Sequence, residues 1–293
     1  RIQRDCSCYS NSIGKGSRIM VILDNGYIPS TLDEALQIRS ENKVIPYAGG
    51  TDLMIKAEDV PYLFLNKLAE LQQISVDGDM IRIGAGCTYT SLLDSPITPK
   101  VLKEAIRLIA APAIRNLGTV GGNICNASPK ADSALIFYVS DSKLRLRSVK
   151  GERILPIEDF YVGRGKTVLQ PDELLIEILM PKKYLDNYYY QKVGARQALA
   201  ISRVAFVGLF GMDDGKITCC STAYGSVSDT ILRFRNLEAM LLGKTIAEAK
   251  ELKGSFLAEY DKAIVPIRGR VSADYRKRVC MNLLEDYLTQ NGI

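Results

Sequence analysis

A chain of 293 residues, with 47% hydrophobic and 24% charged side chains, has the make-up of a globular protein with room for two domains. Its net charge of +5, without runs of Lys or Arg, excludes a nucleic-acid footprint yet suits an anionic ligand. Histidine is absent altogether, which removes Ser-His-Asp and Cys-His nucleophilic catalysis.

In chain order, residues 1–19 are polar, basic and rich in Ser and Gly, and read as a tail, a remnant of expression or a linker before a strand at Met20–Leu23; Met20 could be a natural start. Ser30 or Thr31, with Asp33 or Glu34, caps a helix running to about Ser40. Lys43–Tyr47 is a strand ending at Gly49-Gly50. Tyr62–Asn66, Ile74–Val76 and Met80–Ala85 are further strands, the last two joined by a turn at Asp77-Gly78-Asp79. Thr90–Asp94, Lys100–Ile109 and Ala134–Val139 are expected helices, and Lys143–Ser148 and Leu174–Met180 strands. After a polar linker at Pro181–Asn187 come Tyr188–Val193, Ile201–Met212 and Lys216–Tyr224, a three-stranded antiparallel meander turning at Asp213-Asp214-Gly215. Helices at Asn236–Leu242, Thr245–Leu257 and Ala273–Asn291 close the chain. Strands followed by helices make the C-terminal part α+β.

No apolar stretch approaches the ~20 residues that span a bilayer, and no secretory signal pattern is present. The seven cysteines, at 6, 8, 87, 125, 219, 220 and 280, form an odd and scattered set that reads as reduced thiols. No metal or cluster ligation is expected within the chain, because the cysteine spacing does not supply it. A cytoplasmic protein whose chemistry belongs to a cofactor is the expectation.

Two Gly-Gly segments carry that idea. In Ala48-Gly49-Gly50-Thr51-Asp52-Leu53 an apolar strand delivers the chain to a glycine pair, and Thr51 adds a hydroxyl. In Thr119-Val120-Gly121-Gly122-Asn123 the order repeats, with Asn123 adding amide donors and acceptors. A diphosphate needs converging backbone N–H groups, which backbone without Cβ atoms presents most readily. A tight turn or bulge accounts for either segment alone; the pair argues for a ligand. Neither is a Rossmann fingerprint: Gly84-Ala85-Gly86 is the nearest, and Tyr89 stands where its third small residue belongs. A Walker loop is absent too.

Together with Ile114-Arg115-Asn116-Leu117-Gly118 ahead of the second pair, and Ala127-Ser128-Pro129 and Asp132 after it, these motifs resemble the FAD-binding subunit of the xanthine dehydrogenase family of molybdenum hydroxylases. Arg82-Ile83-Gly84-Ala85-Gly86, Pro171-Asp172-Glu173-Leu174-Leu175, Lys192-Val193-Gly194-Ala195-Arg196 and Tyr275-Arg276-Lys277-Arg278 extend the resemblance over about residues 20–290. It implies an α+β fold: a PCMH/VAO-type FAD-binding domain at 20–182, in subdomains at 20–75 and 76–182, then a smaller C-terminal domain at 188–291. It also implies roles. Ala48, Gly49, Gly50, Thr51, Asp52 and Leu53 would hold the FAD diphosphate from one side, and Thr119, Val120, Gly121, Gly122 and Asn123 from the other. Asp132 would bond ribityl or ribose hydroxyls, Leu175 and Ile109 would supply apolar walls, and Lys192 would lie by the isoalloxazine carbonyls as the one residue with a catalytic, electrostatic role. Valine at Gly50 or Gly122 would then remove FAD without unfolding the chain.

The resemblance further implies partners: a molybdopterin-binding large subunit and a small subunit with 2Fe-2S clusters, in a dimer of heterotrimers. NAD+ or another acceptor would take the electrons. Plainer readings stand beside these. Asp52 and Asp132 could cap helices. Lys192 could be a solvated strand lysine, and Cys125 a small buried hydrophobe. Arg115 and Arg196 could face a partner or the flavin, or pair on the surface; Arg268, Arg270, Arg276, Lys277 and Arg278 read as a solvated helix face. The segment after Asp132, and Tyr224–Asp229, depart from the family pattern. A stand-alone flavin oxidoreductase of the same fold, or a scaffold subunit without FAD, is the alternative function.

Overall fold

The computed structural model describes residues 26–196 and 199–293. The expected tail, the strand at Met20–Leu23, and Cys6 and Cys8 lie outside the described residues. Helix α1 (Leu32–Glu41) opens where the Thr31 side chain accepts a hydrogen bond from the Glu34 amide, and it buries Leu32, Ala35 and Leu36. Strands β1 (Ile45–Tyr47) and β2 (Tyr62–Phe64) pair in parallel beside it. Together they close a small core rich in leucine.

The hairpin β3 (Ile74–Asp77) and β4 (Met80–Gly84) turns at the expected place. Short helices follow: α2 (Tyr89–Asp94), α3 (Lys100–Arg107), α4 (Pro112–Arg115), α5 (Val120–Cys125) and α6 (Asp132–Val139). Next come β5 (Lys143–Ser148), β6 (Gly151–Pro156), a minor pair β7 (Tyr161–Gly163) and β8 (Lys166–Thr167), and β9 (Leu174–Pro181). Strand β9 inserts between β4 and β5, giving an antiparallel sheet in the order β3-β4-β9-β5-β6. Strand β3 spans the junction expected at about 75/76.

The C-terminal part is the expected meander, β10 (Tyr188–Val193), β11 (Val204–Asp213) and β12 (Lys216–Gly225), followed by α7 (Arg235–Glu238), α8 (Ile246–Ala263) and α9 (Ala273–Gln290). Strand β11 starts at Val204 and not Ile201; ahead of it the Ser202 hydroxyl donates to Asp132. Helix α8 runs past the expected Leu257, because Phe256 and Tyr260 keep it docked on the sheet core.

Every residue of α6 is buried. Strand β11 explains why: its alternate residues serve two cores. Ala205, Val207 and Leu209 pack with α3 and α6, and through them with β4, β5 and β9. Val204, Phe206 and Phe210 pack with α8 and α9. The layers therefore run sheet, helices, sheet, helices. The seam is also ionic. Arg233, 3% exposed, pairs with Glu238 at 3.0 Å and Asp141 at 2.7 Å, and donates to the Tyr138 carbonyl. Arg276, expected on a solvated face, is buried and donates to the Ser226 carbonyl. Among the described residues no helix is long and apolar enough to cross a membrane.

Candidate functional site

Between the α1/β1/β2 unit and the five-stranded sheet lies a cavity of about 540 Å³, within the range of small-molecule and cofactor sites. From the first glycine segment it is lined by Ala48, Gly49, Gly50, Thr51, Asp52 and Leu53. From the second it is lined by Thr119, Gly121, Gly122 and Asn123, and its apolar walls include Ile109 and Leu175. Three expected residues do not line it. Val120 is fully buried in the core, and Asp132 and Lys192 stand behind the wall, bonded to each other.

The two segments do different things. Residues 48–52 follow β1 in a loop, and among the described residues their backbone amides donate no hydrogen bond. Gly50 has φ +67°, a region L side chains adopt at a cost, and a Cβ there would strike the Tyr47 ring. A Cβ on Gly49 would lie 1.9 Å from the Leu117 carbonyl oxygen, so glycine is required for the two backbones to meet. The second segment is not a bend but the first turn of α5, capped by Thr119, whose Oγ1 accepts from the Gly122 amide at 3.1 Å. Four of its amides are already paired: Val120 donates to the Cys87 carbonyl, Gly121 to the Ala85 carbonyl, Gly122 to Thr119 Oγ1 and Asn123 to the Thr119 carbonyl. A Cβ on Gly121 would fall 2.6 Å from Ala85, whereas one on Gly122 would meet only the Thr119 hydroxyl, at 2.9 Å. Backbone donors for an anion thus come mainly from the first segment, while the second contributes the Asn123 amide group and open space at Gly122.

Asp132 does not cap α6; Ala131 holds the cap position. Its Oδ2 accepts from Lys192 Nζ at 2.7 Å and its Oδ1 from Ser202 Oγ at 2.6 Å. Burial pushes this carboxyl above the ordinary carboxylate range, with Lys192 and Ser202 drawing it part of the way back. Lys192 is not solvated: its side chain is 7% exposed and donates also to the Leu108 carbonyl, next to Ile109 of the cavity wall. Asp52 starts a short 3-10 turn without a side-chain cap bond. Arg115 donates to the Ile109 and Ala110 carbonyls, fixing that same wall. Arg196 donates to the Leu199 carbonyl. Cys125 does line the cavity, and burial pushes its thiol up to about 12, which keeps it protonated and unreactive.

Sequence reasoning missed several lining residues. Arg39, from α1, is the one cation lining the cavity among the described residues, held by the Glu173 and Val44 carbonyls. Nothing in a helix arginine announces that position. Ala85, Gly86 and Tyr89 also line it, and their signal was the Gly84-Ala85-Gly86 run set aside as a failed Rossmann motif. Unpartnered amides, one arginine, a Cβ-free opening at Gly122 and apolar walls fit a bound dinucleotide carrying a flavin ring.

Comparison with known proteins agrees. The family described as the FAD binding domain in molybdopterin dehydrogenase matches residues 24–183, and that described as the CO dehydrogenase flavoprotein C-terminal domain matches residues 187–291. The chain is 33% identical over 222 residues to a putative xanthine dehydrogenase FAD-binding subunit of Escherichia coli (strain K12), covering 71% of this chain and 76% of that one. It is 30% identical over 285 residues to the nicotinate dehydrogenase FAD-subunit of Eubacterium barkeri, covering 90% and 96%. The solved structure of carbon monoxide dehydrogenase from Hydrogenophaga pseudoflava, lacking the Mo-pyranopterin moiety of its cofactor, superposes with a TM-score of 0.83 at 25% identity, covering 90% and 96%. From site, fold and relatives alike, the chain belongs to the FAD-binding medium subunits of the xanthine dehydrogenase and carbon monoxide dehydrogenase family.

Proposed function

We propose that this subunit relays electrons within a molybdenum hydroxylase, from 2Fe-2S clusters on a small partner subunit to NAD+, after substrate is hydroxylated at molybdopterin on a large one. The observation that carries the site is that residues 48–52, whose amides have no partner among the described residues, line the cavity together with Gly122. Ala48, Gly49, Gly50, Thr51, Asp52 and Leu53 would hold the FAD diphosphate, with Arg39 offsetting its charge. Thr119, Val120, Gly121, Gly122 and Asn123 form the opposing wall, where Gly122 leaves room for the ligand backbone. When bound, FAD supplies the redox chemistry, taking electrons singly and giving them up as hydride.

The remaining residues position and shield. Ile109 and Leu175 exclude water from the cavity, which strengthens the electrostatics inside it. Asp132, Ser202 and Lys192 brace the Leu108–Ile109 segment from behind, so Lys192 would act on the flavin through the field of a neutralised pair and not as a free cation. The domain division at 20–182 and 188–291, assembly as a dimer of heterotrimers, and a cytoplasmic location belong to the same proposal. The free thiols Cys87, Cys125, Cys219, Cys220 and Cys280 suit a reducing compartment.

Gly122→Val is the informative test. A Cβ there comes within 2.9 Å of the cap hydroxyl alone, so the purified variant is expected to lose its yellow colour while its unfolding free energy falls by about 1 kcal/mol, the cost of a disturbed cap. Full FAD retention would remove the site. Gly50→Val does not serve, contrary to the expectation above, because its φ and the Tyr47 ring make it destabilising in its own right. For the acceptor, anaerobic NADH is expected to bleach the flavin of the loaded chain. If it does not, another acceptor takes the electrons.

A further inference from the structure

Behind the second glycine segment a chain of hydroxyls ends on a cavity residue. Tyr89 OH lies 2.9 Å from Ser133 Oγ, and Ser133 Oγ lies 2.8 Å from Asn123 Oδ1. Tyr89 is 4% exposed and Ser133 fully buried, while Asn123 lines the cavity. Among the described residues Ser133 is the only hydrogen-bond partner of the Tyr89 hydroxyl, and Asn123 Nδ2 has none.

That pattern fixes the direction of every proton. A buried phenol that is not donating loses the hydrogen bond it had to water, so Tyr89 donates to Ser133. The single Ser133 proton then goes to Asn123, whose carbonyl is thereby the acceptor. Turning the Asn123 amide over would make it donate to Ser133. Ser133 would then donate back to Tyr89, and the phenol proton would be left buried without an acceptor. Burial holds the Tyr89 phenol well above its ordinary value, so the donor persists across the physiological range.

We infer that Ser133 and Tyr89 are positioning residues that lock the Asn123 amide with its NH2 group toward the cavity, where it donates to an acceptor oxygen of the bound flavin dinucleotide. The inference rests on the cavity being the FAD site. Neither residue touches the ligand through this relay; both set which end of Asn123 the ligand meets. An amide free to turn would present its carbonyl to the phosphate or carbonyl oxygens of the ligand for part of the time, and repel them.

The test is a double-mutant cycle on FAD affinity, read by quenching of flavin fluorescence as FAD is titrated into the full chain freed of its flavin. Asn123→Ala and Ser133→Ala are each expected to raise the dissociation constant about fivefold or more. In the Asn123→Ala background the Ser133→Ala change is expected to add nothing, because the group it orients is gone. Equal losses in both backgrounds would mean that Ser133 serves packing alone, and would overturn the relay. Full affinity in Ser133→Ala with loss in Asn123→Ala would overturn it as well, while leaving the site intact. Full affinity in both Asn123→Ala and Gly122→Val would instead remove the FAD site itself. If Ser133→Ala does not fold, Tyr89→Phe keeps the ring and removes the first donor. A loss of about twofold is expected there, vanishing in the Asn123→Ala background, and a loss that persists in that background overturns the relay.

Discussion

Asp132→Ala is expected to lower the unfolding free energy by about 3–5 kcal/mol, the usual cost of stranding one partner of a buried ion pair. Both side chains are 7% exposed, so among the described residues the substitution leaves the buried Lys192 ammonium with only the Leu108 carbonyl and the Ser202 hydroxyl without an acceptor. Thermal unfolding of the full chain measures it; the midpoint is expected to fall by roughly 6 °C or more. Asp132→Leu combined with Lys192→Met is expected to recover much of that loss, since a pair removed together leaves no buried charge. An unchanged midpoint in Asp132→Ala would mean that Lys192 swings out to water, and would remove its bracing of the cavity wall.

Gly49→Ala is the other large effect. One methyl group 1.9 Å from the Leu117 carbonyl oxygen cannot be housed by turning a flexible side chain, because the obstacle is backbone. The loop at 48–52 and the segment ahead of α5 must move apart, at an expected cost of about 3 kcal/mol, the upper end for overpacking. Those segments are the two sides of the cavity, so FAD retention is expected to collapse along with stability. Co-purifying flavin absorbance and the denaturant midpoint report the two losses together. A folded, fully yellow Gly49→Ala protein would show that the close approach is not required. Set beside Gly122→Val, which is expected to cost colour with little stability, the pair separates a glycine needed for packing from one needed for the ligand.

What the sequence disclosed depended on range. Local patterns were legible: Thr31 before α1, the Asp77-Gly78-Asp79 turn, and the alternation that places the meander at β10 to β12. The glycine segments were legible as well, because few residues tolerate such crowding. Their division of labour was not. Gly49 and Gly121 answer to Leu117 and Ala85, distant in sequence, and only coordinates show that the α5 amides are spent on Cys87 and Ala85. Lys192 read as a solvated strand residue on its own, because a lysine discloses nothing of an aspartate 60 positions away. The parallel pairing of β1 with β2 escaped for the same reason: strands of three residues carry too little periodicity to name a partner.

Strand β11 faces a core on either side, and that sets a limit on modularity. A fragment ending near residue 183 would keep both glycine segments, yet it would bare the apolar flank of α6 that the meander now covers, along with the Tyr138 carbonyl and Asp141 that meet Arg233. The two family segments are therefore expected to depend on each other for folding. The cofactor half is finished only when the tail half has closed over it, so a nascent chain stalled at the linker would emerge sticky, colourless and in need of protection.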